Sequence, residues 1–174
     1  MTEGVMKFAR LAVALALISV LSLGCATVGG AQGTERSPAP EFKVTLVTGK
    51  EVTLEQFRGK PLVLNVGSSW CPHCLHEMPA MKDTSEEYEG RVTFLMVFVK
   101  SPKKDVEALI KKFRLNFMVA DDEDAVVGKA YGVKGIPVTF FIDKDGYIVD
   151  EYFGSMEKDE LTGKLDSLLG VIKK

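Results

Sequence analysis

Apolar and polar positions change their period several times along this chain, and those changes mark out its elements. Phe42-Lys43-Val44-Thr45-Leu46 alternates with a period of two, as a strand with one buried face does. Thr48-Gly49-Lys50 breaks the run and Glu51 to Leu54 returns from it, which predicts a hairpin. Leu54 to Phe57 reads as a short helical turn ended by Gly59. Leu62 to Val66 is almost continuously apolar, which suits a central parallel strand covered on both faces. The period then turns helical from Pro72 to about Tyr88. Pro72 sits in the first turn, where no hydrogen-bond donor is lost, and Pro79 inside the helix predicts a kink.

Val92 to Val99 is a second central strand. Pro102 to Phe113 is amphipathic, with Val106, Leu109, Ile110 and Phe113 on one face and Lys103, Lys104, Lys111 and Lys112 on a solvated one. Phe117 to Ala120 reads as a short strand and Asp124 to Tyr131 as a helix. The acidic run Asp121 to Asp124 lacks the spacing and glycine of a calcium loop, and reads as a loop ending in a helix N-cap. Val138 to Asp143 and Tyr147 to Phe153 flank Lys144-Asp145-Gly146, a hairpin signal, and Leu161 to Ile172 is a closing helix. Strand–helix alternation followed by a hairpin and a helix predicts an α/β fold: a central mixed β-sheet flanked by helices, with an N-terminal β-hairpin extension.

The first 40 residues follow another logic. Lys7 and Arg10 precede a short apolar run from Leu11 to Leu23, the layout of a secretory signal, so residues 1–24 are expected to be a signal peptide. The run is short for a membrane span, although Met6 and Phe8 would lengthen an uncleaved anchor. It ends Leu21-Ser22-Leu23-Gly24-Cys25, which resembles the lipobox of bacterial lipoproteins. In them the cysteine is lipidated and becomes the mature N-terminus. Ser22 and Leu23 depart from the usual order of leucine and small residue; ordinary cleavage near Ala26 or Ala31 is the competing reading. Residues 25–40 are rich in Gly, Ala, Ser and Pro and read as a flexible tether, leaving residues 41–174 as the domain.

A net charge of −2 gives no reason to expect nucleic acid as a partner. Of three cysteines, Cys25 stands apart and Cys71 and Cys74 form a close pair, so this is no disulfide-stapled scaffold. The pair lies in Trp70-Cys71-Pro72-His73-Cys74, between the apolar strand and the helix. A strand that delivers a cysteine to a helix N-terminus favours its thiolate through free N–H groups and the helix dipole. Cys74 lies one turn on, near enough to close a reversible disulfide with Cys71. No cofactor is expected.

At Trp70-Cys71-Pro72-His73-Cys74 the chain resembles the thioredoxin superfamily. Three further segments narrow the resemblance to its membrane-tethered TlpA/ResA-like thiol–disulfide oxidoreductases. These are Pro40-Glu41-Phe42 through Gly59-Lys60-Pro61 to Val66, Glu77-Met78-Pro79, and Tyr131-Gly132-Val133-Lys134-Gly135-Ile136-Pro137 to Asp143. The resemblance implies a thioredoxin-like fold and these roles: Cys71 as exposed attacking thiol, Cys74 as buried resolving thiol, and Pro137 as a cis-proline facing them, with Gly135 allowing the tight approach. Trp70, Ile136 and Pro137 would shape the substrate groove, and Glu77 would tune Cys74 or shuttle its proton, unless it is a solvated helix residue. Asn65 stands where thioredoxin itself has a buried aspartate. The implied partners are proteins with disulfides or thiols, apocytochrome c among them, and a membrane thiol reductant. The implied place is the bacterial cell envelope or periplasm, held to the membrane by lipid or an N-terminal anchor.

The dipeptide Pro72-His73 is that of the oxidant DsbA, and a donor or cation at His73 would stabilise the Cys71 thiolate and raise the potential. The remaining scaffold is that of a reductase, and a reductase with a raised potential is the reading adopted. Two other functions use the same residues. Cys71, Cys74, His73 and His76 are ligands for zinc or for copper in a chaperone, but helical spacing directs the histidines away from the thiols, so no metal is expected. A thiol peroxidase would place threonine where Ser68 stands, three residues before Cys71.

Overall fold

The computed structural model describes residues 36–170, which leaves the signal, Cys25 and most of the tether outside the described residues. One eight-stranded mixed sheet runs through the domain. Its strands are β1 (Ser37–Pro38), β2 (Lys43–Leu46), β3 (Glu51–Thr53), β4 (Leu62–Gly67), β5 (Thr93–Val99), β6 (Met118–Asp122), β7 (Val138–Ile142) and β8 (Tyr147–Phe153), in the order β1-β8-β7-β4-β5-β6-β2-β3. The helices are α1 (Pro72–Glu87), α2 (Lys103–Phe113), α3 (Val126–Ala130) and α4 (Lys158–Leu168), with a 3₁₀ turn at Leu54–Phe57. The β2–β3 hairpin extends the sheet beyond β6, at the edge opposite β1. Among the described residues no helix is long and apolar enough to cross a membrane.

The continuous apolar runs form the central strands. Every residue of β4 is buried, and β4 pairs parallel with β5 and antiparallel with β7. Because side chains alternate across a sheet, the two faces of β4 differ. Leu62, Leu64 and Val66 join the cluster that holds Phe42, Phe57, Tyr131 and Phe140 under the hairpin. Val63 points the other way, onto Met81, Tyr88, Phe141, Leu161 and Leu165 beneath α1 and α4. Asn65 and Gly67 share the face of Val63, so the two residues nearest the end of that face are not apolar. Register puts Thr139 opposite Asn65, as Phe141 is opposite Val63. A polar step is thus built into an otherwise dry layer below the N-terminus of α1.

Several boundaries differ from the sequence expectation. Ser37–Pro38 is not tether: it pairs antiparallel with Ile148 and Tyr147, the Ala39 N–H donates to the Gly146 carbonyl at 3.0 Å, and Ala39 is buried. Arg36 pairs with Asp143 and lies 4.7 Å from the centre of the Tyr147 ring. Proline is tolerated on an edge strand, which is why tether-like composition can still pair. The bounds of α1 do agree with the expectation, since it runs through Pro79 to Glu87. Asp121 and Asp122 belong to β6 rather than to a loop. The Asp122 carboxylate accepts from the N–H groups of Val126 (2.7 Å) and Val127 (2.9 Å), capping α3 from four residues before its start. The closing helix begins at Lys158, three residues earlier than its first apolar position.

Candidate active site

The chain leaves β4 at Gly67, turns through Ser68 and Ser69, and enters α1 at Pro72 with Cys71 as N-cap. This turn is pinned to the end of β5. The Ser68 hydroxyl donates to the Val99 carbonyl at 2.7 Å, the Ser101 hydroxyl donates to the same carbonyl at 3.0 Å, and the Ser69 N–H donates to the Ser101 oxygen at 2.9 Å. The Trp70 indole N–H reaches the Lys100 carbonyl at 3.3 Å, while its side chain stands 64% exposed. Ser68 is therefore buried, with its hydroxyl proton committed to backbone.

Cys71 and Cys74 are joined by a disulfide, with their Cα atoms 5.3 Å apart. The Cys74 N–H donates to the Cys71 sulfur at 3.2 Å, so a free helix N–H is aimed at that sulfur. Cys74 is fully buried, and Gly67 leaves it room: a Cβ at position 67 would lie 3.2 Å from the Cys74 sulfur. Cys71 is less open than the sequence expectation, with only 5% of it exposed. The reason is the loop before β7. The Ile136–Pro137 bond is cis, and the Ile136 carbonyl oxygen lies 3.9 Å from the Cys71 sulfur, covering it. Pro137 is itself buried, and its carbonyl accepts from the Gly154 N–H at 2.9 Å. Gly135 is not needed for that approach, since a Cβ there would meet nothing within 4 Å. Pro72, His73 and His76 are exposed, and His76 Nδ1 lies 3.7 Å from Glu157. Phe153, paired with Val138, is 65% exposed.

Beneath Cys74 lies a feature that the sequence shows only in pieces. Glu77, one helical turn after Cys74, is buried rather than solvated. Its Oε1 accepts from Asn65 Nδ2 at 2.8 Å, and its Oε2 from the Met156 N–H at 3.4 Å. The second Asn65 N–H donates to Thr139 Oγ1 at 2.9 Å, and Asn65 Oδ1 is buried without a partner among the described residues. Burial lifts the Glu77 carboxyl from its ordinary 4.5 to about 7, against the opposing pull of Asn65 and the Met156 N–H, which favour the charged form. A carboxyl that exchanges a proton near neutral pH therefore sits one turn from a buried sulfur. The buried carboxyl is thus on α1, and Asn65 on β4 is its donor. Thr139 was missed by sequence reasoning; its one signal is a polar residue inside the apolar run of β7.

Comparison with known proteins agrees with this geometry. Residues 36–151 match the model of the AhpC/TSA family. The thiol-disulfide oxidoreductase ResA of Geobacillus thermodenitrificans is 37% identical over 133 residues, 76% of each chain. Among solved structures, a thiol:disulfide interchange protein of the thioredoxin family from Chlorobium tepidum superposes with a TM-score of 0.69 at 26% identity, over 78% of this chain and 97% of the other. The exposed lipoprotein thioredoxin Etrx1 of Streptococcus pneumoniae gives 0.66 at 29% identity, over 74% and 99%.

Proposed function

The chain belongs to the AhpC/TSA family, as a ResA-like protein-disulfide oxidoreductase of thioredoxin-like fold, and from that premise we propose that it reduces protein disulfides outside the cytoplasm through Cys71 and Cys74. The observation that carries the reading is the asymmetry of the pair: Cys71 at the helix N-cap with an N–H on its sulfur, Cys74 sealed behind it.

In the reduced protein the Cys71 thiolate attacks one sulfur of a substrate disulfide, and the other substrate sulfur leaves as a thiolate. Glu77, ionised, takes the proton of Cys74. The Cys74 thiolate then attacks the Cys71 sulfur and expels the second substrate thiolate. Two electrons have passed to the substrate, and Cys71–Cys74 is a disulfide until a membrane thiol reductant restores it. Trp70, Ile136 and Pro137 form the groove that receives the substrate chain. His73, exposed beside the thiolate, stabilises the reduced form and so raises the potential. Apocytochrome c is one substrate of the right chemistry.

The export reading rests on Lys7, Arg10 and the apolar run before Cys25, and is supported by the likeness to an exposed lipoprotein. A Cys25 lipid would hold the domain at the membrane through the remaining tether. Titration of the full chain against dithiol buffers, followed by thiol alkylation, tests the chemistry. One two-electron transition, absent from Cys71→Ser, is expected; the absence of any reversible transition between Cys71 and Cys74 would overturn the proposal. Fatty-acid labelling in cells, lost in Cys25→Ser, tests the anchor.

A further inference from the structure

Beside the dithiol a groove of about 490 Å³ opens between the turn that carries Trp70 and the loop that carries Ile136. It begins one residue from Cys71 on one wall and one residue from Pro137 on the other. Its charged lining residues are Lys100, Lys129 and Lys134, and no carboxylate lines it. All three lysines are exposed, and none has an ion-pair partner within 4.0 Å among the described residues. The protein as a whole carries a net charge of −2, so this positive concavity runs against its average.

Two details make the groove a built feature. Lys100 is held in a left-handed conformation, φ 47°, with its N–H on the Asp122 carbonyl and its own carbonyl taking the Trp70 indole. Holding a side-chain-bearing residue there costs about 1 kcal/mol or more, and it ties the lysine to the tryptophan next to Cys71. Gly135 lines the groove without a positive φ and without neighbours that a side chain would strike. Nothing in the fold requires glycine at this position, and its missing side chain leaves space above the backbone.

We propose that this groove selects its substrates: it takes an extended polypeptide stretch adjoining the target disulfide that carries carboxylate side chains, which Lys100, Lys129 and Lys134 attract while an apolar side chain of the same stretch packs on Trp70 and Ile136. The proposal rests on the disulfide-reductase reading and names its substrate class. Charge around a concave site raises encounter and local concentration of ligands of opposite sign. The lysines touch no reacting sulfur, so the selectivity belongs in KM.

Two peptides test it, each with one internal disulfide beside a leucine, identical except that three flanking positions are Glu in one and Lys in the other. With full-length protein and a dithiol to regenerate it, kcat/KM is expected to favour the acidic peptide about tenfold at low salt, the scale of a few exposed ion pairs acting together. The preference should nearly vanish at 1 M salt, where the screening length is about 3 Å. Lys129→Glu/Lys134→Glu should invert it, and Gly135→Val should raise KM for both peptides with thermal stability unchanged. Equal rates on both peptides, or a preference that survives charge reversal, overturns the substrate class while leaving the reductase intact. Reduction of neither peptide overturns the reductase reading itself, and this inference with it.

Discussion

The region beneath the two sulfurs and the region beside them are built on opposite plans. Beneath Cys74, Asn65, Glu77 and Thr139 come from β4, α1 and β7, are buried, and are joined by two hydrogen bonds from the Asn65 amide at 2.8 and 2.9 Å. Beside Cys71, Trp70, Lys100, Lys129 and Lys134 come from loops and helix ends and stand in solvent. A polar group placed in a dry interior is strongly perturbed by small changes, because each lost partner leaves an uncompensated neighbour. A charge in solvent is not. The first region is suited to setting the chemistry of the sulfurs and the second to choosing what reaches them.

The largest effect expected comes from the sulfur that divides the two regions. Cys74→Ser should leave the attack at Cys71 possible and the release impossible. Turnover should fall by at least about a thousandfold, with mixed disulfides accumulating on Cys71 and visible by mass. Unimpaired turnover in this variant would remove Cys74 from the reaction.

Next is the buried carboxyl. A rise from 4.5 to about 7 corresponds to roughly 3 kcal/mol against the ionised form. Folded protein keeps the Glu77 proton between these values while the unfolded chain releases it. Stability from this group is therefore full below about 4.5, falls as pH rises, and is lost above about 7. Glu77→Gln should match the parent near pH 4 and exceed it by up to about 3 kcal/mol near pH 8, in denaturant titrations of the oxidised forms. The same variant should lose the inflection near neutral pH in the rate of the resolving step. Parallel stability profiles for the two proteins would place the proton elsewhere. By contrast Lys129→Ala, on the exposed side, should change stability by less than about 0.5 kcal/mol at any pH.

Two glycines sharpen the contrast at smaller scale. Gly67→Ala sets a methyl 3.2 Å from the Cys74 sulfur and 3.3 Å from its Cβ, and should cost about 1–2 kcal/mol with altered Cys74 reactivity. Gly135→Ala enters open space and should be neutral for stability within about 0.5 kcal/mol. Equal costs for the two would erase the distinction between a packed floor and an open rim. A comparably modest effect is expected at His73: replacement by Ala should lower the potential by about 30 mV, equivalent to about 1.4 kcal/mol for two electrons. An unchanged potential would sink the role given to that side chain.

Much of this was legible in the chain, because it depends on neighbours in sequence. The apolar runs of β4 and β5, the alternation of β2 and the Lys144-Asp145-Gly146 turn each declare their element through a local period or turn chemistry. The dithiol declares itself by its spacing and by the helix it opens. Elsewhere local composition misled. Ser37-Pro38 looks like a linker and forms an edge strand, since pairing depends on the partner Tyr147 and Ile148. Asp124 looks like a cap and Asp122 is the cap, since the chain bends at Ala125, where φ is 53°.

The sequence alone determined the class of fold, the order of its elements and the pair of sulfurs, because period and spacing are properties of a continuous chain. Only the tertiary structure decided that Cys71 is covered by the Ile136 carbonyl, that Glu77 is buried against Asn65, and that Lys100 lines one groove with Lys129 and Lys134. Those facts depend on which residues meet after the chain has folded back, and burial and electrostatic environment come into being only there.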